Sequence, residues 1–184
     1  MQGKGKGTVF AFETDTVWGL GCVPNDREAV DKIYEIKNRD RSKPLILMSN
    51  DLLNLLPYVE DVPDNAMELM KKAYPGALTM VFRRSPNCPV EICAGLDTVG
   101  IRVPNHEGFW DLCGCVRGNV LATTSANASG ESPCKNYEEA VKKFGEVCTI
   151  IKPEKVQEQT SASTIAAFES DGSYKILRQG DYII

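Results

Sequence analysis

Strand-length apolar runs alternate with helix-length amphipathic stretches along nearly all of the 184-residue chain, and this alternation selects an α/β sheet over a helical bundle or a β-sandwich. Residues 8–12, Thr-Val-Phe-Ala-Phe, read as a first buried strand, and the Gly19-Leu20-Gly21 segment after it as a place where the backbone bends tightly. Asn25, with Glu28 three residues on, makes a capping-box-like start, and Ala29, Val30, Ile33 and Tyr34 share one face of a helix reaching Lys37. Residues 44–49 form a second apolar run. Asp64 is the expected cap of a helix in which Ala66, Leu69, Met70 and Ala73 keep the i, i+3, i+4, i+7 spacing, and Pro75-Gly76 stops it. Residues 77–82, 98–103 and 119–124 are further strand candidates, the last opening into Ser125-Ala126-Asn127-Ala128-Ser129-Gly130. Residues 137–144 read as a helix with Gly145 as its C-cap. Near the end, 164–168 and 174–177 flank Asp171-Gly172, a good hairpin turn.

The length suits one compact domain over residues 1–184, and 42% hydrophobic with 25% charged residues is ordinary globular material, which excludes disordered and collagen-like chains. Twenty-one Lys and Arg against 25 Asp and Glu leave a net charge of −4, so no global positive field draws the chain to nucleic acid and any anion site must be local. Cys22, Cys88, Cys93, Cys113, Cys115, Cys134 and Cys148 make an odd number and read as reduced, mostly buried thiols. With a single His and no Cys-x-x-Cys, a zinc site is poorly supported and no protein-held metal is expected. The amino-terminal Met-Gln-Gly-Lys-Gly-Lys-Gly carries charge without an apolar run behind it, and no later stretch suits a membrane span, so a cytoplasmic location is expected. The Gly-Lys run precedes the first strand and lacks Walker spacing, and Gly-x-Gly-x-x-Gly is absent, which rejects both nucleotide fingerprints.

Three clusters could carry chemistry. Lys37, Arg39, Arg41 and Lys43 alternate on a short stretch that either surrounds a polyphosphate or is a solvated basic loop. Arg102 lies inside the apolar run Val99-Gly100-Ile101-Arg102-Val103-Pro104, where a guanidinium needs a carboxylate or phosphate partner, from the protein or from a ligand. The hydroxyl and amide side chains of Thr123 to Ser129 stand at the expected C-terminal end of a strand, where they either bind a ligand or satisfy their own turn. The lone His106 reads as structural.

In order and spacing, Thr14-Asp15-Thr16-Val17-Trp18-Gly19-Leu20-Gly21, Lys37-Asn38-Arg39 with Lys43-Pro44-Leu45, Pro75-Gly76-Ala77-Leu78-Thr79, residues 99–106 and 124–130, Ser163-Thr164-Ile165 and Ile176-Leu177-Arg178-Gln179-Gly180 resemble the YrdC-type family of threonylcarbamoyl-AMP synthases, and specifically its single-domain, TsaC-like members. The resemblance implies a YrdC/RibB-like twisted mixed β-sheet surrounded by helices, with a deep, positively lined cavity. It implies a reaction that joins L-threonine, bicarbonate or CO2, and ATP with release of pyrophosphate, using Mg²⁺ brought with ATP. The product serves threonylcarbamoyl-transferase proteins acting on position 37 of tRNA. By the same resemblance Lys37, Arg39, Ser125 and Asn127 are the catalytic group gripping ATP, helped by Lys43, Thr98, Ser132 and Arg178. Arg102 holds the threonine carboxylate, with Thr14, Thr16, Thr123 and Ser163 as the remaining threonine contacts.

This sequence departs from the family pattern at Glu13 and Ala77, where Pro is usual, and at Met48, often His. A thioether donates no hydrogen bond to a hydroxyl, so threonine is held differently or selectivity is relaxed. No second domain of the kind that longer members append is expected. Two rival functions remain: an RNA-binding or ribosome-associated module with weak RNA affinity, and a carbamoyl-transfer domain of the hydrogenase-maturation kind, which normally sits in a longer chain.

Overall fold

The computed structural model describes residues 6–155 and 160–184; most of the amino-terminal glycine-lysine run lies outside them. In chain order the elements are β1 (Phe10–Phe12), β2 (Gly19–Cys22), α1 (Arg27–Lys37), β3 (Ile46–Ser49), β4 (Val59–Glu60), α2 (Asp64–Ala73), β5 (Leu78–Arg84), β6 (Thr98–Arg102), α3 (Glu107–Gly114), β7 (Val120–Ser125), α4 (Tyr137–Phe144), β8 (Thr149–Ile150), β9 (Thr164–Phe168) and β10 (Tyr174–Arg178). Among the described residues the strands join one sheet in the order β10-β9-β5-β6-β3-β7-β2-β1-β8, with β4 added along β5. β1 with β8, β3 with β6 and β5 with β9 run parallel, while β2–β7, β3–β7 and β5–β6 run antiparallel. The mixed α/β architecture is the expected one.

Pleat and register assign the two faces. Successive side chains of a strand point to opposite faces, and the ladders align Ala122, Leu47, Ile101, Met80 and Ala166 in one row. That row is buried with Ala29, Val30 and Ile33 of α1, Ala66 and Met70 of α2, and Ala140 and Phe144 of α4 in the main core. Leu47 and Ile101 are both 0% exposed, and burying each is worth roughly 1.5–3 kcal/mol. A one-residue slip of β3 would move Leu47 to the opposite face, so the register is firmly held. On that opposite face α3 covers one end, laying Phe109, Leu112 and Cys113 on Phe12, Met48 and Leu121. Beyond α3 the same face presents Thr98, Gly100, Arg102, Thr123 and Ser125 to a cavity.

Several local expectations are corrected. The cap of α1 is Asp26, not Asn25; its carboxylate accepts from Ala29 N at 3.1 Å and from Gly7 N at 2.8 Å, tying the chain's start to the helix. Pro63 occupies the cap position of α2, and Asp64 is its first helical residue, where its charge opposes the positive helix end. Gly19-Leu20-Gly21 is strand rather than bend. A Cβ at Gly19 would lie 2.8 Å from the Phe12 ring and one at Gly21 3.0 Å from it, so these glycines let the aromatic close over the strand. Helix α3 and the two-residue strands β4 and β8 were not legible in the periodicity. His106 is structural: it caps α3 by accepting from Phe109 N at 3.2 Å, and its Nε2 lies 3.2 Å from Glu13 Oε2. α4 and β9 have the expected bounds, and the other expected strands begin and end within two residues of theirs. No helix of the described residues is long and apolar enough to cross a membrane.

Candidate active site

The cavity has a volume of about 460 Å³. Arg39, Lys43, Arg102 and Arg178 line it, and no aspartate or glutamate is among the described residues that do. A chain of net charge −4 therefore concentrates cations at one place, as an anion site requires. A second cavity, of about 430 Å³, lies beside the start of α3 and is bordered by Glu107, Asp111, Glu154 and Lys155; its acids oppose an anionic ligand, and it contains none of the expected site residues.

One end of the cavity is organised by Arg102, 2% exposed at the end of β6. Its guanidinium donates Nε–H to Gly76 O at 2.9 Å, Nη1–H to Thr16 Oγ1 at 2.9 Å, and Nη2–H to the Asp15 carboxylate. Burial presses the Arg102 pKa down, and Asp15 pushes it back up. The sequence left the partner open between protein and ligand; the structure supplies Asp15, 87 positions away in the chain. Thr14 and Thr16 form a local hydroxyl pair 3.1 Å apart, and Thr14 Oγ1 also donates to Val17 O at 2.7 Å, which fixes the turn between β1 and β2. Thr123 Oγ1 donates to Ile46 O at 3.2 Å. Ser163 Oγ pairs with Thr79 Oγ1 at 2.9 Å, and Arg178 donates to Ser163 O through Nε at 3.0 Å and Nη2 at 2.8 Å.

The other end depends on how α1 terminates. Asn38 adopts the left-handed conformation at φ 46°, ψ 47°, its N–H bonding back to Glu35 O, a conformation an asparagine tolerates better than most residues. This one reversed residue sends the flanking cations to different partners. Lys37, 1% exposed, turns to the end of β7, where Nζ donates to Ser125 O, Asn127 O and Asn127 Oδ1. Arg39 turns the other way, donating to Lys43 O at 3.2 Å and Pro44 O at 3.0 Å, while Tyr34 Oη donates to the same Lys43 carbonyl at 2.9 Å. Ser125 Oγ donates to Asn127 Oδ1, and Asn127 Nδ2 donates to Ala128 O and Glu131 O. Burial, aided by the nearby Arg39 charge, pushes the Lys37 ammonium down to about 8.

The fold thus brings Thr14, Thr16, Arg39, Lys43, Thr98, Thr123, Ser125 and Ser163 to the cavity together with Arg102 and Arg178. Lys37 and Asn127 stand behind this lining and are joined to it through Ser125. Ser132 is exposed on the following loop and outside the lining, and Arg41 pairs with Asp31 on the surface. Met48 does line the cavity, 8% exposed, in register with Arg102. Sequence reasoning missed Asp15 as a site residue although it sits between two threonines that were chosen; the buried charge of Arg102 was the signal. It also missed Tyr34, whose hydroxyl holds the Lys43 carbonyl from the core side of α1, and Thr79, which lies within the Pro-Gly-Ala-Leu-Thr stretch but meets Ser163 only once β5 and β9 pair.

A mixed sheet carrying a cation-lined cavity on its open face is the arrangement these residues build, and the family model described as "Telomere recombination" (Sua5/YciO/YrdC) matches residues 5–180, so the chain belongs to that family. Two relatives are the threonylcarbamoyl-AMP synthases of Klebsiella pneumoniae, 34% identical over 145 residues (78% of this chain, 76% of the relative), and Pseudoalteromonas atlantica, 34% identical over 173 residues (86% and 90%). P. abyssi Sua5 complexed with L-threonine superposes with a TM-score of 0.84 at 31% identity, covering 95% of this chain and 51% of that one, so the chain spans about half of that Sua5. E. coli YciO, 24% identical with a TM-score of 0.82 over 95% of this chain and 84% of its own, shares the fold.

Proposed function

We propose that the chain is a threonylcarbamoyl-AMP synthase, which joins L-threonine, bicarbonate or CO2, and ATP into L-threonylcarbamoyladenylate and pyrophosphate for modification of position 37 of tRNA. The observation that carries this reading is a cavity lined by Arg39, Lys43, Arg102 and Arg178 with no carboxylate among its described lining residues, in a chain whose relatives bear that name. Threonine's carboxylate would bind at Arg102, with Thr14, Thr16, Thr123 and Ser163 around it. The ATP phosphates would lie along Arg39, Lys43, Ser125 and Arg178, with Thr98 at the rim. Lys37 and Asn127 would hold Ser125, and Lys37 would add positive charge behind it. The threonine amine captures CO2 as an N-carboxylate, and one of its oxygens attacks the α-phosphorus as pyrophosphate departs. No protein nucleophile is needed: aligning two anions and offsetting the charge that moves onto pyrophosphate lowers the barrier. The cavity lining offers no carboxylate set for Mg²⁺, and among the described residues no three His, Cys, Asp or Glu side chains cluster as a metal site. Mg²⁺ would therefore enter on the ATP phosphates as part of the substrate.

The test is pyrophosphate release from ATP and bicarbonate with L-threonine, L-serine or no amino acid. Threonine-dependent release is expected, and comparable release with serine would mark Met48 as a site of relaxed selectivity. Absence of release in folded protein would overturn the reading and favour the RNA-binding module, whose affinity should fall steeply with salt.

A further inference from the structure

All seven cysteines are unpaired, yet two of them touch. Cys88 Sγ and Cys93 Sγ lie 3.5 Å apart, at 2% and 0% exposure, on the loop that joins β5 to β6. Cys88 N–H donates to Ser85 O at 3.0 Å, Cys93 N–H to Val90 O at 3.2 Å and Leu96 N–H to Cys93 O at 3.0 Å, so the loop folds back on itself and holds the sulfurs face to face. Pro86, Asn87, Val90 and Gly95 of the same loop are exposed, so the buried sulfurs sit within a surface loop. The two thiols share a hydrogen bond, and this contact together with the nearby Arg84 charge holds the Cys93 thiol below its ordinary value while the same contact and burial push Cys88 up. One sulfur disposed to ionise and a second thiol in contact with it are the two parts an oxidation–resolution sequence requires.

The loop is also fastened to the cavity. Ile92 O, next to Cys93, accepts from Leu45 N at 2.8 Å, and Leu45 follows Pro44, whose carbonyl holds Arg39. At the loop's other end Leu96 O accepts from Arg84 Nε at 3.1 Å, and Leu45 and Leu96 both line the cavity.

We propose that Cys88 and Cys93 are a dithiol oxidised by hydroperoxides to a reversible disulfide, and that this bond shifts the Leu45 and Leu96 wall beside Arg39 and weakens nucleotide binding. The Cys93 thiolate attacks one peroxide oxygen; the O–O bond breaks, hydroxide leaves and is protonated to water, and Cys93 becomes a sulfenic acid. Cys88 then attacks the Cys93 sulfur, hydroxide leaves and takes the Cys88 proton as a second water, and the S–S bond forms. Two thiols and one hydrogen peroxide thus give one disulfide and two waters, with two electrons passing from sulfur to oxygen. The sulfurs must close from 3.5 Å to about 2 Å, and any backbone movement at Ile92 that accompanies this is passed to Leu45 through the Ile92 carbonyl.

The disulfide itself is independent of the synthase reading, whereas its effect on ATP rests on that reading. The intact protein is exposed to hydrogen peroxide, digested without reduction and mapped by mass spectrometry, in a Cys115→Ser background because Cys115 is exposed. A Cys88–Cys93 cross-linked peptide that a dithiol reductant abolishes is the expected result. Retention of both thiols, or sulfinic acid at Cys93 without the cross-link, overturns the site; because the mapping uses unmutated Cys88 and Cys93, a poorly folded Cys93→Ser variant would not blur it. Oxidised protein should bind ATP about tenfold more weakly than reduced protein, with recovery on reduction. Equal affinity in the two forms overturns the coupling to the cavity, and failure of the reduced form to bind ATP counts against the synthase reading while the mapped disulfide stands.

Discussion

Lys37 and Arg102 are both buried cations, 1% and 2% exposed, and their charges are met in opposite ways. Arg102 has a carboxylate, Asp15, together with a hydroxyl and a carbonyl. Lys37 has only neutral acceptors, two backbone carbonyls and an amide oxygen. The Arg102 end of the cavity is thus locally balanced, and an arriving carboxylate must compete with Asp15. The Lys37 end keeps a positive charge with no carboxylate beside it. On the proposed function the first end would act as a clamp that changes partners, and the second as a fixed scaffold whose field acts on the phosphates without exchanging contacts.

The largest effect that tests this contrast is Arg102→Ala. It leaves Asp15, whose side chain is 10% exposed, without its cation, and losing one partner of a buried pair costs about 3–5 kcal/mol in denaturant unfolding. In whatever folded protein remains, the threonine KM should rise more than the ATP KM; equal rises would make Arg102 purely structural. Asp15→Asn is the gentler partner experiment. Removing the competing charge should lower the threonine KM and leave the ATP KM unchanged, and a raised threonine KM would show that Asp15 helps the substrate rather than competing with it.

Next in size is Arg39→Ala. Arg39 is half-buried and held by two carbonyls and the Tyr34 hydroxyl, all neutral groups, so its loss should weaken ATP binding by about 2–4 kcal/mol while changing unfolding far less than Arg102→Ala does. Unchanged ATP affinity in a titration would remove Arg39 from the nucleotide end and leave Lys43 and Arg178 to hold the phosphates.

The same two ends show what a linear sequence carries. Helices α1 and α4 were legible because each buries one face at the helical period, strands β5, β6, β7 and β9 because they are apolar runs of strand length, and β10, exposed throughout, because the Asp171-Gly172 turn pairs it with β9. Helix α3 was not: its eight residues mix Phe109, Trp110, Leu112 and Cys113 with two acids and two glycines and trace no clean stripe of the kind the equally short α4 shows. Each cap slipped by a residue: Asn25 and Asp26 share capping chemistry and the structure chooses Asp26, while Pro63 takes the extended cap position of α2 with no side-chain bond and leaves Asp64 as its first helical residue. The cations of the site were legible as charges out of place. Their partners were not, since Asp15 meets Arg102, and Ser125 and Asn127 meet Lys37, only after the sheet order is set.

The smallest effect is one of pH, and it separates the two cations most cleanly. Burial lowers the Lys37 pKa from 10.5 to about 8. Below the lower value both folded and unfolded chains hold the proton and the burial penalty is fully present; above the upper one neither holds it. Between them the unfolded chain binds more protons, so the Lys37 contribution makes unfolding free energy rise with pH through that window. Over the same rise the scaffold loses its charge, and ATP should bind more weakly. Arg102 gives no such signature, because a guanidinium stays protonated throughout. Denaturant unfolding and ATP titration across about pH 7–10 should therefore run in opposite directions, and Lys37→Met should flatten both slopes. An ATP affinity that stays level while stability climbs would mean that the Lys37 charge does not reach the phosphates, leaving it to act only by holding Ser125 and Asn127 in place.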